Sequence, residues 1–170
     1  DVRLSASHVT TFAACPFAFA LSYGLGLRET DYEIDPDDAR EIGDLYHRSL
    51  EAYYRELQST GMTISEEPTS EALARLRSHA DGVFSRHVGA GMLSDGVIAG
   101  SRRVFDRIAE WVVATDRERF AGHRPLLVEG RRTVTEVSGD GERRARLVLF
   151  GRIDRVTEAP DGSLAIIDYK

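Results

Sequence analysis

Apolar positions in the first two thirds of the chain recur at helical spacing, and those of the last third alternate as strands do. Val9, Phe12, Ala13, Phe17 and Leu21 can form the apolar face of a first helix, capped by Ser5 or Ser7 and running to about Tyr23. Cys15-Pro16 interrupts that helix, which predicts a kink or two pieces, and Gly24-Leu25-Gly26 ends it. Residues 28–38 are acidic, contain Pro36 and read as a loop. The clearest periodicity runs from about Asp38 to Ser59. There Ile42, Leu45, Tyr46, Leu50, Tyr53 and Leu57 fall within one arc at about 100° per residue. Gly61, Glu66, Glu67 and Pro68 break the pattern. Helical spacing returns at about 69–88 and 98–120, the second with Val104, Ile108, Trp111 and Val112, and the stretch from Gly89 to Gly100 reads as a loop.

After Pro125 the period changes to two. Leu126-Leu127-Val128 begins a strand that Val134-Thr135-Glu136-Val137 continues or follows, and Ser138-Gly139-Asp140-Gly141 is a turn. A long strand is expected over Arg146–Thr157, a turn at Pro160-Asp161-Gly162, and a last strand over Leu164–Lys170. The prediction is an α/β chain in α+β order, with helices first and then an antiparallel meander. It is one domain over 1–170, mainly helical over 1–120 and stranded over 125–170. No internal repeat or low-complexity tract is visible.

The last hairpin carries the first candidate chemistry. Ala159-Pro160-Asp161-Gly162-Ser163 suits a three-residue loop, with Pro160 fixing φ and Gly162 supplying the left-handed residue. Ala159 then faces Ser163, Asp154 faces Asp168, and Arg152 faces Lys170. Residues two apart share a face, so Asp168 and Lys170 point the same way. Two carboxylates about 5 Å apart at Cβ repel unless a cation lies between them, and a divalent metal meets that need. Oxygen ligands without a cysteine cluster suit Mg2+ or Mn2+. The plainer alternative is an exposed hairpin with Asp154–Lys170 and Asp168–Arg152 pairs. Val156, Leu164 and Ile166 on the same faces favour a cleft wall that starts in a core and ends in charge.

On the second helix His47 lies about 130° from the centre of the apolar arc. Glu51, one turn on, shares its face, so the two form either a surface pair or a ligand with a supporting acid. Glu129 is a further acid near the level of Asp154, although a one-residue slip would turn it to the other face. His8, His79, His87 and His123 have no ligand partner at useful spacing.

Composition narrows the class. The chain has 170 residues, 42% hydrophobic and 29% charged, as a soluble globular domain has. No apolar run approaches the roughly 20 residues of a membrane span, and no leader-like start is present. One cysteine excludes an internal disulfide and favours the cytoplasm. A net charge of −6 argues against non-specific coating of nucleic acid. Residues 28–75 carry thirteen Asp/Glu against five Arg, whereas 100–155 carry thirteen Arg against nine Asp/Glu. That second half offers either a phosphate-facing patch or a solvated surface. Lys170 is the only lysine among 22 basic residues. Its compact ammonium offers chemistry that arginine cannot.

Four stretches, in order, resemble the PD-(D/E)XK nuclease superfamily, specifically the RecB-like nuclease domains of bacterial recombination helicase–nucleases. Leu4-Ser5-Ala6-Ser7 with Cys15-Pro16-Phe17 and Tyr23-Gly24-Leu25-Gly26-Leu27 resembles the family's opening helix. Gly43-Asp44-Leu45-Tyr46-His47-Arg48-Ser49-Leu50-Glu51 resembles its histidine motif. Gly151-Arg152-Ile153-Asp154-Arg155 resembles the first acidic strand, and Ile166-Ile167-Asp168-Tyr169-Lys170 the signature strand. The long spacer between histidine and strands is most similar to the AddB-type branch.

The resemblance implies a restriction-endonuclease-like core and a Mg2+- or Mn2+-dependent deoxyribonuclease. It implies an exonuclease of DNA repair and recombination, acting in the cytoplasm on a single-stranded DNA end beside a helicase domain or subunit. It implies His47, Asp154 and Asp168 as metal ligands, the Tyr169 carbonyl as a further oxygen, and Lys170 as the group that orients water and offsets transition-state charge. Glu129 matches the upstream acid, with Glu51 and Arg152 as supporting residues. Cys15 is either a small apolar helix residue or the first of four cysteines that hold a [4Fe-4S] cluster in the longer protein. The family's core continues past the signature strand with a Gln/Tyr-bearing helix, so the expectation is a fragment lacking the C-terminal part of the fold. The competing function is a DNA-binding or scaffold module that keeps the fold without catalysis.

Overall fold

Ser5 closes a strand and opens a helix. The structure, a computed structural model, describes residues 2–27, 36–88, 93–138 and 145–169. Within it β1 (Val2–Ser5) runs directly into α1 (Ala6–Ala14). The Ser5 hydroxyl accepts from the His8 N–H at 3.3 Å, and the Ser5 N–H donates to His8 Nδ1 at 2.9 Å. This reciprocal cap satisfies two amides that the helix start leaves unpaired. Cys15 breaks the helix as expected. Its Sγ accepts from the Ala18 N–H at 3.4 Å and starts the short α2 (Pro16–Phe19), which passes into a π-helical turn (Ala20–Gly24).

The chain divides into two compact units, Asp1–Tyr32 with Gly130–Ile153, and Glu33–Glu129 with Asp154–Lys170. These are not the helical and stranded parts. In the first unit, β1 pairs in parallel with residues 147–150 of β3 (Ala145–Glu158). That strand was absent from the expected meander, because a four-residue segment whose partner lies far along the chain leaves no local period. The expected apolar face of the first helix is also not buried, since Val9, Phe12 and Phe17 are 43%, 55% and 71% exposed. The rings of Phe12, Phe19, Tyr23 and His8 instead pack edge to face or tilted against one another.

The second unit is built on α3 (Pro36–Thr60), α4 (Thr69–Ser85) and α5 (Asp95–Arg119). On α3 the predicted arc turns inward. Leu45, Leu50, Tyr53 and Leu57 are buried, with Ile42 and Tyr46 packed at the margin. Leu76, Ala80, Val83 and Phe84 of α4 and Ile98, Phe105, Ala109 and Val112 of α5 complete the core. The expected face of α5 needs correction, because Val104 and Trp111 are 52% and 65% exposed. The buried arc is the neighbouring one. Ser94 caps this helix, so the second half of the expected 89–100 loop is helical. No helix among the described residues is long and apolar enough to cross a membrane.

Strand β2 (Arg124–Ser138) is continuous and lies beside β3. The 138–141 turn, most of the acidic 28–38 loop, residues 89–92 and Lys170 lie wholly or largely outside the described residues.

Strand β4 (Leu164–Ile167) pairs antiparallel with β3, and all four partners, Arg155↔Ile167 through Glu158↔Leu164, keep the register the turn predicts. Ala159 N–H donates to the Ser163 carbonyl at 2.8 Å, and Gly162 takes φ 84°, which a side chain would strain. The strand is shorter than expected. Its faces are also reversed: Leu164 and Ile166 are 63% and 71% exposed, while Arg155 and Thr157 are buried. Polar partners explain the reversal, since Asp116 holds Arg155 and His123 holds Thr157 on the inner side.

Candidate metal centre and adjoining cleft

Three of the residues singled out from the sequence come together in the second unit. His47 Nδ1 lies 3.4 Å from Glu129 Oε1 and 3.6 Å from Asp154 Oδ1. One nitrogen and two carboxylate oxygens thus lie within 4.8 Å of one another and could hold a metal ion. The side chain of Glu129 is 3% exposed, that of Asp154 9% and that of His47 33%. Two carboxylates this deep and this close repel strongly, and a cation between them removes the cost. The donor set fits a divalent ion that accepts oxygen with one imidazole.

Each ligand has a distinct structural origin. His47 lies off the apolar arc of α3 and therefore reaches the edge of the core rather than its centre. Glu129 sits inside β2 with φ 52°, a left-handed conformation that few non-glycine residues adopt. Alternation lapses there, so Val128 and the Glu129 side chain are both buried, as at a β-bulge that re-aims a side chain. Alternation lapses on β3 as well, where Asp154 and Arg155 are both buried.

Asp154 Oδ2 accepts the Tyr169 N–H at 2.7 Å. The segment after β4 is therefore tied to the same carboxylate by its main chain, two residues past Ile167 of the last ladder pair. Asp168 is exposed and falls outside the three-group cluster. It lines, with His47 and Tyr169, a cleft of about 810 Å3. The β3–β4 ladder ends at Arg155↔Ile167, one position short of the expected Asp154–Asp168 pair. Glu51 is bonded to Arg55 at 2.7 Å and is not in the cluster. Arg152 is exposed in the first unit, and Cys15 is exposed with its sulfur engaged in the α2 cap.

Sequence reasoning missed what holds Tyr169. Arg155 is 1% exposed and grips Asp116 through two nitrogens at 2.7 and 3.0 Å, while the Tyr54 hydroxyl donates to the same carboxylate at 2.8 Å. The guanidinium lies 4.1 Å from the centre of the Tyr54 ring and 5.9 Å from that of Tyr169, and those two rings are 10° from parallel. Burial pushes the Tyr54 and Tyr169 hydroxyls above the ordinary tyrosine range, so both stay protonated and neither is a base near neutral pH. The only signals were an arginine following Asp154 and an acid late on a helix, and many surface pairs look the same.

Residues 3–170 match the family described as the PD-(D/E)XK nuclease superfamily. The chain is 32% identical over 187 aligned positions to an ATP-dependent helicase/deoxyribonuclease subunit from Moorella thermoacetica, covering 99% of this chain and 15% of that protein. The proteins of the same name from Acetivibrio thermocellus and Pelotomaculum thermopropionicum are 27% and 28% identical, over 98% and 99% of this chain and 15% of each. The chain thus spans about 15% of the length of these relatives.

Proposed function

The chain belongs to the PD-(D/E)XK nuclease superfamily, and from that premise we propose that it is the metal-dependent nuclease part of a DNA helicase–nuclease. The observation that carries this reading is the grouping of His47, Glu129 and Asp154 within 4.8 Å. The relatives' name, ATP-dependent helicase/deoxyribonuclease, supports DNA as substrate and a helicase as partner. The substrate is a single-stranded end, attacked exonucleolytically in cytoplasmic DNA repair and recombination.

His47, Glu129 and Asp154 hold the ion, Mg2+ or Mn2+, with Asp168 and the Tyr169 carbonyl as further oxygens. Such an ion supplies charge to polarise the scissile phosphate and acidify water. The chain's own residues do the positioning. Asp154 is oriented by the Tyr169 N–H, and Tyr169 is held by the Tyr54, Arg155 and Asp116 network. Lys170, outside the described residues, orients the attacking water and offsets charge on the phosphorane-like transition state. Hydrolysis forms one phosphorus–oxygen bond to the water oxygen and breaks one to a sugar oxygen, which takes up a proton. Two buried acids beside an imidazole favour a metal site over a scaffold without catalysis.

The test is Mg2+-dependent cleavage of labelled single-stranded DNA by the gene product that carries this chain. Asp154→Asn and His47→Ala are expected to lower the rate by roughly 100-fold or more, the scale of losing one charge-stabilising group. Full activity in both variants would refute the assignment.

A further inference from the structure

The cleft beside the cluster has a wall that metal chemistry does not use. Tyr46, Trp111, Phe120 and Tyr169 line it together with His47 and Asp168. Trp111 is the only tryptophan of the chain and is 65% exposed. A bare indole is uncommon on a soluble surface, where a Trp body is usually well covered. One and two turns before it on α5 stand Arg107 and Arg103, both exposed and forming no ion pair with a described residue. Their neighbours differ. Arg102 is bound to Asp81 and Asp106, and Arg77 to Asp106 and Glu110. On the cleft floor the Asp116 carboxylate is already neutralised by Arg155. The aromatic wall is therefore continued along α5, outside the cleft lining itself, by two exposed guanidinium groups with no ion-pair partner among the described residues.

We propose that Trp111 and this cleft form a base-stacking subsite for single-stranded DNA, in which an unpaired nucleobase lies on the indole and flanking phosphates meet Arg107 and Arg103. The ligand must be flat and apolar on one side and anionic on the other, which describes one nucleotide of a single strand. A paired base has its faces covered by its neighbours, so a duplex does not fit. An apolar protein segment would fill the wall but gain nothing from the two arginines. His47 lines the same cleft, so a strand seated there has its next phosphates beside the His47–Glu129–Asp154 cluster. The proposal rests on the nuclease reading and adds the residues that grip the strand.

The experiment titrates the 170-residue chain, in EDTA so that no cleavage occurs, with an oligothymidylate, a strand of equal length built of abasic units, and a duplex. Trp111 fluorescence and the anisotropy of the labelled strand are read together. The oligothymidylate is expected to quench the indole, while the abasic strand and the duplex bind on the order of 10-fold more weakly without quenching. Trp111→Ala is expected to weaken binding by on the order of 10- to 100-fold, with Trp111→Phe restoring most of it. Arg107→Ala should lower the slope of log affinity against log salt by about 1. Equal binding of the abasic strand, binding without quenching, or no binding at all would overturn the proposal. So would a dimer that buries Trp111 in the absence of DNA. Mn2+ binding measured on EDTA-free, DNA-free samples of the same protein separates the two claims. If Mn2+ binds and DNA leaves the indole unchanged, only the subsite is wrong, whereas quenching without Mn2+ binding removes the metal assignment instead.

Discussion

Glu129 shows how a single backbone angle decides a site. A left-handed φ of 52° costs a residue with a side chain about 1 kcal/mol or more, and here it aims a carboxylate at His47. Glu129→Gly should therefore be more stable to urea than Glu129→Gln by about 1 kcal/mol, less a part for the added freedom of the unfolded chain. Both variants should bind Mn2+ more weakly. Equal unfolding midpoints would show that the conformation carries no strain. The acid itself was legible in the sequence, but its direction was not, because alternation along a strand cannot register a residue that leaves the extended region. His47 was more accessible, since a helix fixes direction by spacing alone. Its angle from the apolar arc of α3 set it outside the buried core, and its side chain is 33% exposed.

Among the elements, β3 carries the most information. Its register with β4 follows from the Pro160-Asp161-Gly162 turn, and all four pairs agree with it. Which face turned inward did not follow, because the inner face holds Arg155 and Thr157 while Leu164 and Ile166 stay outside. A polar side chain is buried when another element brings its partner, and α5 brings Asp116 from far away in sequence. Removing one member of this buried pair leaves the other charged and unmatched. Asp116→Ala should cost about 3–5 kcal/mol in urea unfolding, and the double change Asp116→Leu with Arg155→Met considerably less. A loss below about 1 kcal/mol for Asp116→Ala would mean that the pair is solvated and does not anchor Tyr169. The same element, α5, misled the pattern reading in another way, because two adjacent apolar arcs run along it and only one is buried.

For the molecule as a whole, the helix order, the change to strands and the hairpin were all legible, because each writes its own local period. The parallel strand β1 and the division into two units were not, since both depend on pairing between distant segments. Acid sensitivity also belongs to this scale. Burial alone would raise the Glu56 carboxyl, but hydrogen bonds from His79 and Arg75 outweigh it and hold its pKa below the ordinary value, linking α3 to α4. A depressed folded pKa gives stability that is present above the unfolded value of about 4.3 and is lost as pH falls through the folded one. The urea midpoint should accordingly fall below about pH 4.3, and Glu56→Gln should flatten that limb. An unchanged acid limb in the variant would assign the loss to other carboxylates.

The central claim concerns His47, Glu129 and Asp154, and a calorimetric titration of this chain with Mn2+ tests it most directly. We predict saturable binding that Asp154→Asn and His47→Ala each weaken by at least about 10-fold while circular dichroism stays unchanged. Binding of undiminished affinity in both folded variants, or no binding by the parent chain, would contradict it.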